Sequence, residues 1–322
     1  MKRLLFIMLI LCLALPACRA AKPESTLEKV TLNLTYIPNV QFAPFYVAIE
    51  EGIFANHGLD VNLAYGNEAD MVALVGSDHQ QFMIASGEQV LLSRAQGLPV
   101  ISVREWYQHY PIGVASLKSS HILEPADLRG KSIGLPGLFG ASYIGFEALA
   151  GHAGLSDDDY ELRSIGFTQV EALVTGQVDA VVVYLANEPV QLRARGYEIN
   201  LLSVADSLSL VGNCLVTNEK SLFERTDLVR RMAVALDEAL AATAADPDKA
   251  FEISRKYVEN LEADDPIQKQ VLLESIKLWR FEPEPAQSAV ERWENMQGVL
   301  LNLGLMAVRI DVREAFSDAF VE

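Results

Sequence analysis

Residues 30–65, VTLNLTYIPNVQFAPFYVAIEEGIFANHGLDVNLAY, carry the pattern on which the fold turns. Val30 to Tyr36 alternates apolar and polar residues as a half-buried strand does. Ala43 to Glu51 places apolar residues at helical spacing and stops at Gly52, and Leu59 to Tyr65 alternates again. The theme continues outward: Ala69 to Val75 reads as a helix, Phe82 to Ser86 as a strand, Gln89 to Gln96 as a helix closed by Gly97, and Val100 to Trp106 as a strand. Strands alternating with helices mark parallel α/β layers.

After Ile112 to Ser116 the theme restarts. Ser132 to Leu135, Glu161 to Ile165 and Ala180 to Tyr184 read as strands, and Ser142 to Leu149, Gln169 to Thr175 and Glu188 to Ala194 as helices. Leu215 to Thr217 reads as a strand returning to the first unit. From Ser221 to the end the period is helical, with breaks at Pro247, Pro266 and Pro283. The expectation is a two-lobed α/β protein: lobe 1 over residues 29–114 and 215–322, lobe 2 over 115–214, and a helical C-terminal tail. Two crossings, near Ile112 to Leu117 and Val211 to Val216, would form a hinge that closes on a ligand between the lobes. A single larger α/β domain with a helical appendage is the alternative on the same pattern.

The chain of 322 residues has 26 Lys and Arg against 43 Asp and Glu, a net charge of −17. Such a surface repels phosphate backbones and anionic headgroups, which argues against nucleic-acid and polybasic membrane binding. At the N-terminus Lys2 and Arg3 precede the apolar run Leu4 to Leu15, too short for the roughly 20 residues that span a bilayer. Residues 1–17 read as an export signal and 18–28 as a polar tether. Leu15-Pro16-Ala17-Cys18 resembles the bacterial lipobox, which would make Cys18 a diacylated anchor on the outer face of the cell membrane; a plain secretory peptide is the alternative. The other cysteines, Cys12 and Cys214, form no metal-ligand spacing with the histidines.

In parallel α/β sheets ligands sit beyond the carboxyl ends of strands. Read in that way, the loops nominate Tyr36, Asn39, Gln41 and Phe42, then Ser86, Gly87 and Glu88, then Trp106. They go on to nominate Gly137, Leu138, Phe139, Gly140, Ser142 and Tyr143, then Tyr184 and Glu188. Phe42 has an equally simple reading as core, the glycines as a tight turn, and Glu188 as a first-turn carboxylate favoured by the helix dipole. No catalytic constellation, no metal site and no phosphate-loop signature can be placed on these strand ends. Residues 36–46, 85–89, 134–143 and 184–189 contain neither Lys nor Arg, although anionic ligands are normally met by a cationic fork. A flat, uncharged or weakly cationic heterocycle suits such a set.

Several blocks, in order, carry a resemblance: YIPNVQFAPFYVAIEEGIFANHGLDVN (36–62), GLPV (97–100), DLRGKSIG (127–134), GQVDA (176–180) and NEP (187–189). They resemble the alkanesulfonate-binding and thiamine-pyrimidine-precursor group of ABC-importer substrate-binding proteins, over about Tyr36 to Val258. The resemblance implies a periplasmic-binding-protein-like (type II) fold, a membrane ABC permease as partner, no cofactor and no enzymatic activity. The opening block is most similar to the riboflavin-binding branch, which implies riboflavin as ligand, ahead of the thiamine pyrimidine precursor and of alkanesulfonates such as taurine. The fungal thiamine-pyrimidine synthase is a related enzyme whose functional residues fail to carry over. Its cofactor lysine falls at Ala85, its donor histidine at Gln89, and its cysteine cluster near Cys214, although its Gly-x-x-Gly matches Gly137 to Gly140.

Overall fold

The computed structural model describes residues 27–281, 286–317 and 319–320. The leader, Cys12, Cys18, Pro283 and all of the tether before Leu27 lie outside the described residues. Two five-stranded sheets are present. The first contains β1 (Glu28–Thr35), β2 (Leu59–Gly66), β3 (Phe82–Ser86), β4 (Val100–Glu105) and β10 (Asn213–Asn218), in the order β2-β1-β3-β10-β4. The second contains β5 (Ile112–Leu117), β6 (Ser132–Leu135), β7 (Glu161–Ser164), β8 (Ala180–Tyr184) and β9 (Ile199–Ser203), in the order β7-β6-β8-β5-β9.

The two sheets share one plan. Each has a parallel trio, β2-β1-β3 or β7-β6-β8, followed by a strand that runs antiparallel to its neighbours, β10 or β5. Both antiparallel strands are those by which the chain enters a sheet after passing from the other. The passages run through residues 106–111 and 204–212, just before the boundaries drawn at 114/115 and 214/215. Crossovers through helices cover the sheets, and the central strands are buried on both faces, as β3 and β8 show.

The first lobe carries α1 (Ala43–Glu50), α2 (Ile53–Asn56), α3 (Glu68–Gly76) and α4 (Gly87–Ala95). The second carries α5 (Gly140–His152), α6 (Gln169–Val174) and α7 (Glu188–Ala194). The tail adds α8 (Glu219–Glu224), α9 (Thr226–Ala245), α10 (Pro247–Ser254), α11 (Pro266–Leu278) and α12 (Ala286–Asn302). Local chemistry sets these ends. Asp265 accepts from the amides of Ile267 at 3.0 Å and Gln268 at 2.9 Å, and Pro266 opens α11 where an amide proton has no partner. Helix α9 buries one stripe, including Leu228, Met232, Leu236 and Leu240, against the core of the first lobe.

The expected helical period to the C-terminus holds only as far as Asn302. There the chain turns at Gly304, with a φ of +68°, and runs back to the edge of the first sheet. Ser102 donates its amide to Ala315 O at 2.9 Å and accepts from the Ser317 amide at 2.8 Å, and the Phe316 ring stacks on Trp293 of α12 at 5.7 Å. The apolar residues of this stretch serve an edge strand and one stacking contact, so their spacing is not that of a helix. Strand β9, too, has no clear signal in the sequence, since all five residues are half-buried.

The two passages touch. Trp106 and Tyr107 both donate their amides to Asn213 O, at 2.8 and 3.2 Å. A side chain at Gly212 would stand 3.0 Å from His109 O and from Tyr107 Cβ, so the glycine permits this approach. The tail braces the first passage: Gln108 O accepts from Arg280 Nη2 at 3.0 Å and Arg292 Nη1 at 3.1 Å, and both arginines pair with Glu105. The two passages are thus paired backbone, the first of them held by two guanidinium groups.

Candidate ligand site between the lobes

Residues just beyond the carboxyl ends of parallel strands in the two sheets meet one another: Tyr36 after β1 with Phe167 after β7, and Glu88 after β3 with Tyr184 at the end of β8. From the first lobe, β1 ends at Tyr36, which has a φ of 100°, a conformation that costs a non-glycine residue about 1–3 kcal/mol and that packing must enforce. Its ring meets Phe167 of the second lobe edge-on at 4.9 Å, and burial with the nearby Glu188 carboxylate raises its phenol pKa. Tyr36 therefore stands at the line where the lobes meet.

Beside it, Asn39 caps the short turn Val40–Phe42: its Oδ1 accepts from the Gln41 amide at 3.0 Å, and its own amide donates to Tyr46 Oη at 3.3 Å. Gln41 is buried against Tyr107. Phe42 stacks on Trp106 at 5.9 Å, and Trp106, 2% exposed, is further enclosed by Phe45, Tyr107 and Trp279. Most of the aromatic opening is core of the first lobe.

The end of β3 is different in kind. Ser86 donates its amide at 2.7 Å and its hydroxyl at 2.9 Å to one oxygen of Glu68, the first residue of α3. Gly87 donates to Gly212 O at 3.1 Å, and a Cβ there would fall 2.0 Å from Val211 Cγ1, so only glycine admits the second passage so close. Glu88 is 1% exposed, and neither of its carboxyl oxygens has a hydrogen-bond partner among the described residues. Two hydroxyls stand beside it, but Ser86 gives its proton to Glu68 and Tyr110 gives its proton to Ala141 O at 3.0 Å. Burial, and then the neighbouring Glu68, push the Glu88 carboxyl up to about 8. Across β10, in register with Ser86, Asn213 is buried with an unpartnered Oδ1.

From the second lobe, Tyr184 at the end of β8 reaches this cluster. Its phenol is raised well above its usual range by burial, then by Glu68 and Glu88, while the Asn213 side chain lies against its hydroxyl. Glu188, first residue of α7, turns back on its own loop. Its Oε2 accepts from the Tyr184 amide at 2.9 Å and its Oε1 from Asn187 Nδ2 at 3.2 Å, and burial pushes the carboxyl up to about 7. In the loop after β6, Gly137 is covered by the Phe139 ring, Gly140 takes a φ of +67°, and Leu138 and Phe139 are exposed. Ser142 is half-buried in the first turn of α5; Tyr143, half-buried too, has Glu147 and Asp157 as charged neighbours.

The structure thus gathers Tyr36, Ser86, Glu88, Tyr184 and Glu188 about one interlobe space. It sends Phe42 and Trp106 into the core, and it turns Tyr143 toward Glu147 and Asp157. Sequence reasoning passed over Glu68, Phe167 and Asn213 as members of this cluster, and Tyr110 joins it from the same strand-end loop as Trp106. Glu68 and Phe167 follow β2 and β7, the equivalent edge strands of the two parallel trios, whose strand-end loops were the two left unread. Exposed Phe167, at 66%, and exposed Ile37, Leu138 and Phe139 give the strand-end loops of both lobes an apolar rim.

A family model described as NMT1/THI5 like matches residues 39–250. The riboflavin-binding protein RibY of Chloroflexus aurantiacus is 37% identical over 314 residues, covering 95% of this chain and 89% of that protein. The formylaminopyrimidine-binding protein of Halalkalibacterium halodurans is 28% identical over 280 residues, covering 84% and 83%. Among solved structures, the periplasmic aliphatic sulphonate binding protein SsuA of Escherichia coli superposes with a TM-score of 0.75 at 14% identity, covering 89% and 91%. That likeness is one of fold: the doubled sheet plan is common to both.

Proposed function

This chain belongs to the NMT1/THI5-like family of substrate-binding proteins, and from that premise we propose that it captures riboflavin for an ABC permease in the membrane. The observation that carries the ligand is the 37% identity to RibY along 95% of the chain. The site's chemistry is consistent with it. Tyr36 and the apolar rim offer flat surface to a three-ring system, while Glu88, Asn213, Tyr184 and Glu188 offer neutral or weakly acidic hydrogen-bonding groups. A sulfonate would meet three carboxyl groups and, in the strand-end loops read from the sequence, neither Lys nor Arg.

The formylaminopyrimidine reading rests on the 28% relative, and a single pyrimidine would cover less of the rim. The protein beginning after Cys18, purified without added ligand and titrated by riboflavin fluorescence quenching, tests the choice. Quenching with micromolar or tighter affinity is expected; tight formylaminopyrimidine binding with none for riboflavin would overturn it. We further propose that Cys18 is lipidated and holds the protein on the outer face of the membrane. Cys18→Ser is then expected to release the protein to the soluble fraction or leave it unprocessed, and unchanged processing and membrane association would refute the anchor.

A further inference from the structure

Three polar atoms at the floor of the site have no partner among the described residues: Oε1 and Oε2 of Glu88 and Oδ1 of Asn213. They belong to adjoining strand ends, because Ser86, two residues before Glu88, pairs in register with Asn213. Both residues are buried, and a buried polar atom left unsatisfied costs about 1–3 kcal/mol. Ser86 and Tyr110 set their hydroxyls beside Glu88 but give their protons to Glu68 and Ala141, so neither supplies a donor to its oxygens.

Building on the flavin reading above, we propose that the Glu88 carboxyl and the Asn213 amide oxygen form a subsite of the first lobe that reads an uncharged nitrogen heterocycle through an edge on which a ring N–H adjoins an acceptor, as in a cyclic imide. A neutral carboxyl offers one donor and one acceptor side by side, the complement of an imide N–H and its adjoining carbonyl, and Asn213 Oδ1 offers an acceptor to a further donor of the ligand, such as a hydroxyl. Burial keeps Glu88 in that neutral form at pH 7, its carboxyl standing at about 8. The groups facing it from the packed elements are Glu68 of α3, Tyr110 of the first passage, Tyr184 of β8 and Cys214 of β10. Burial raises each of these four acids as well, so the floor favours protonated groups and a neutral ligand.

The test uses the exported chain with riboflavin and with riboflavin methylated at its imide nitrogen, by calorimetry, in the unaltered protein and in Glu88→Gln and Glu88→Leu. Methylation removes the donor and is expected to weaken binding by about tenfold or more. Glu88→Gln, whose amide still presents a donor beside an acceptor, is expected to stay within about threefold, while Glu88→Leu loses about tenfold or more with its melting temperature unchanged or raised. Equal binding of the methylated ligand, or undiminished riboflavin binding by Glu88→Leu, would overturn the subsite and leave the flavin reading standing. Failure of the unaltered protein to bind riboflavin would overturn the flavin reading; the same variants titrated with formylaminopyrimidine, whose aminopyrimidine edge also pairs a donor with an acceptor, then judge the subsite. There, loss in Glu88→Leu with retention in Glu88→Gln supports it, and equal binding by all three proteins, or no binding by the unaltered one, overturns it.

Discussion

Two strand-end loops of the first lobe make opposite use of their residues. The loop after β1 is rich in aromatic residues, and Phe42, Phe45 and Tyr46 are buried in the core while the Asn39 carboxamide caps a turn. The loop after β3 is short and polar, and its Ser86 and Glu88 are also buried, yet Glu88 keeps two oxygens without partners. Aromatic groups in a loop satisfy themselves by packing on one another. A carboxyl cannot, so its burial without a partner is the more telling sign of a site.

Trp106 is the sharpest way to break that comparison. It sits among Phe42, Phe45, Tyr107 and Trp279, and Trp106→Ala is expected to destabilise the fold by about 3–5 kcal/mol in denaturant unfolding, the range for truncating a large buried aromatic. A variant with native stability and lost ligand binding would move Trp106 from core to site.

The carboxyl cluster is expected to register next, as a dependence of stability on pH. The Glu88 carboxyl stands at about 8 in the folded protein against 4.5 for an ordinary glutamate, so between those values the unfolded chain holds fewer protons than the native one. Stability contributed by this group is therefore full below pH 4.5 and falls as pH rises toward 8, by up to about 1.4 kcal/mol per pH unit. Unfolding measured at intervals across that range should show a shallower decline in Glu88→Gln than in the unaltered protein; identical slopes would mean that Glu88 is solvated.

The smallest effect concerns Tyr36, the one residue of the aromatic loop held at the meeting of the lobes. Tyr36→Ala is expected to weaken ligand binding about tenfold, or 1.4 kcal/mol, through the lost ring surface. Its melting temperature should move little, because Phe167, the ring it packs on, is itself exposed, and alanine keeps a Cβ and with it the strain of the φ of 100°. Unchanged affinity would leave Tyr36 as a lobe-to-lobe contact only.

Much of the fold was legible in advance. Period-two and period-3.6 patterns placed nine of the ten strands and most helices, because each strand and helix buries its own repeating face. The end of the tail was not legible: Val312 is apolar for burial in the core and Phe316 for a stack on Trp293 beside the edge contact with Ser102, and neither has a local period. At the site, Glu88 and Glu188 were nominated from their places at strand ends, and Asn213 was passed over because it opens a strand that enters its sheet antiparallel.

What the sequence determined by itself is the alternation of strands and helices, the doubling of that unit, the acidic net charge and the lack of Lys and Arg in the strand-end loops read for ligand contacts. Each is a property of residues counted along the chain. Which carboxyls lose their water, and which of them find a donor, was decided only when β3, β10 and β8 brought Glu88, Asn213 and Tyr184 together from two lobes. Desolvation and competition for a single hydroxyl proton depend on every neighbour at once, and those neighbours lie as much as 125 residues apart in the chain, from Glu88 to Asn213, beyond the reach of any local pattern.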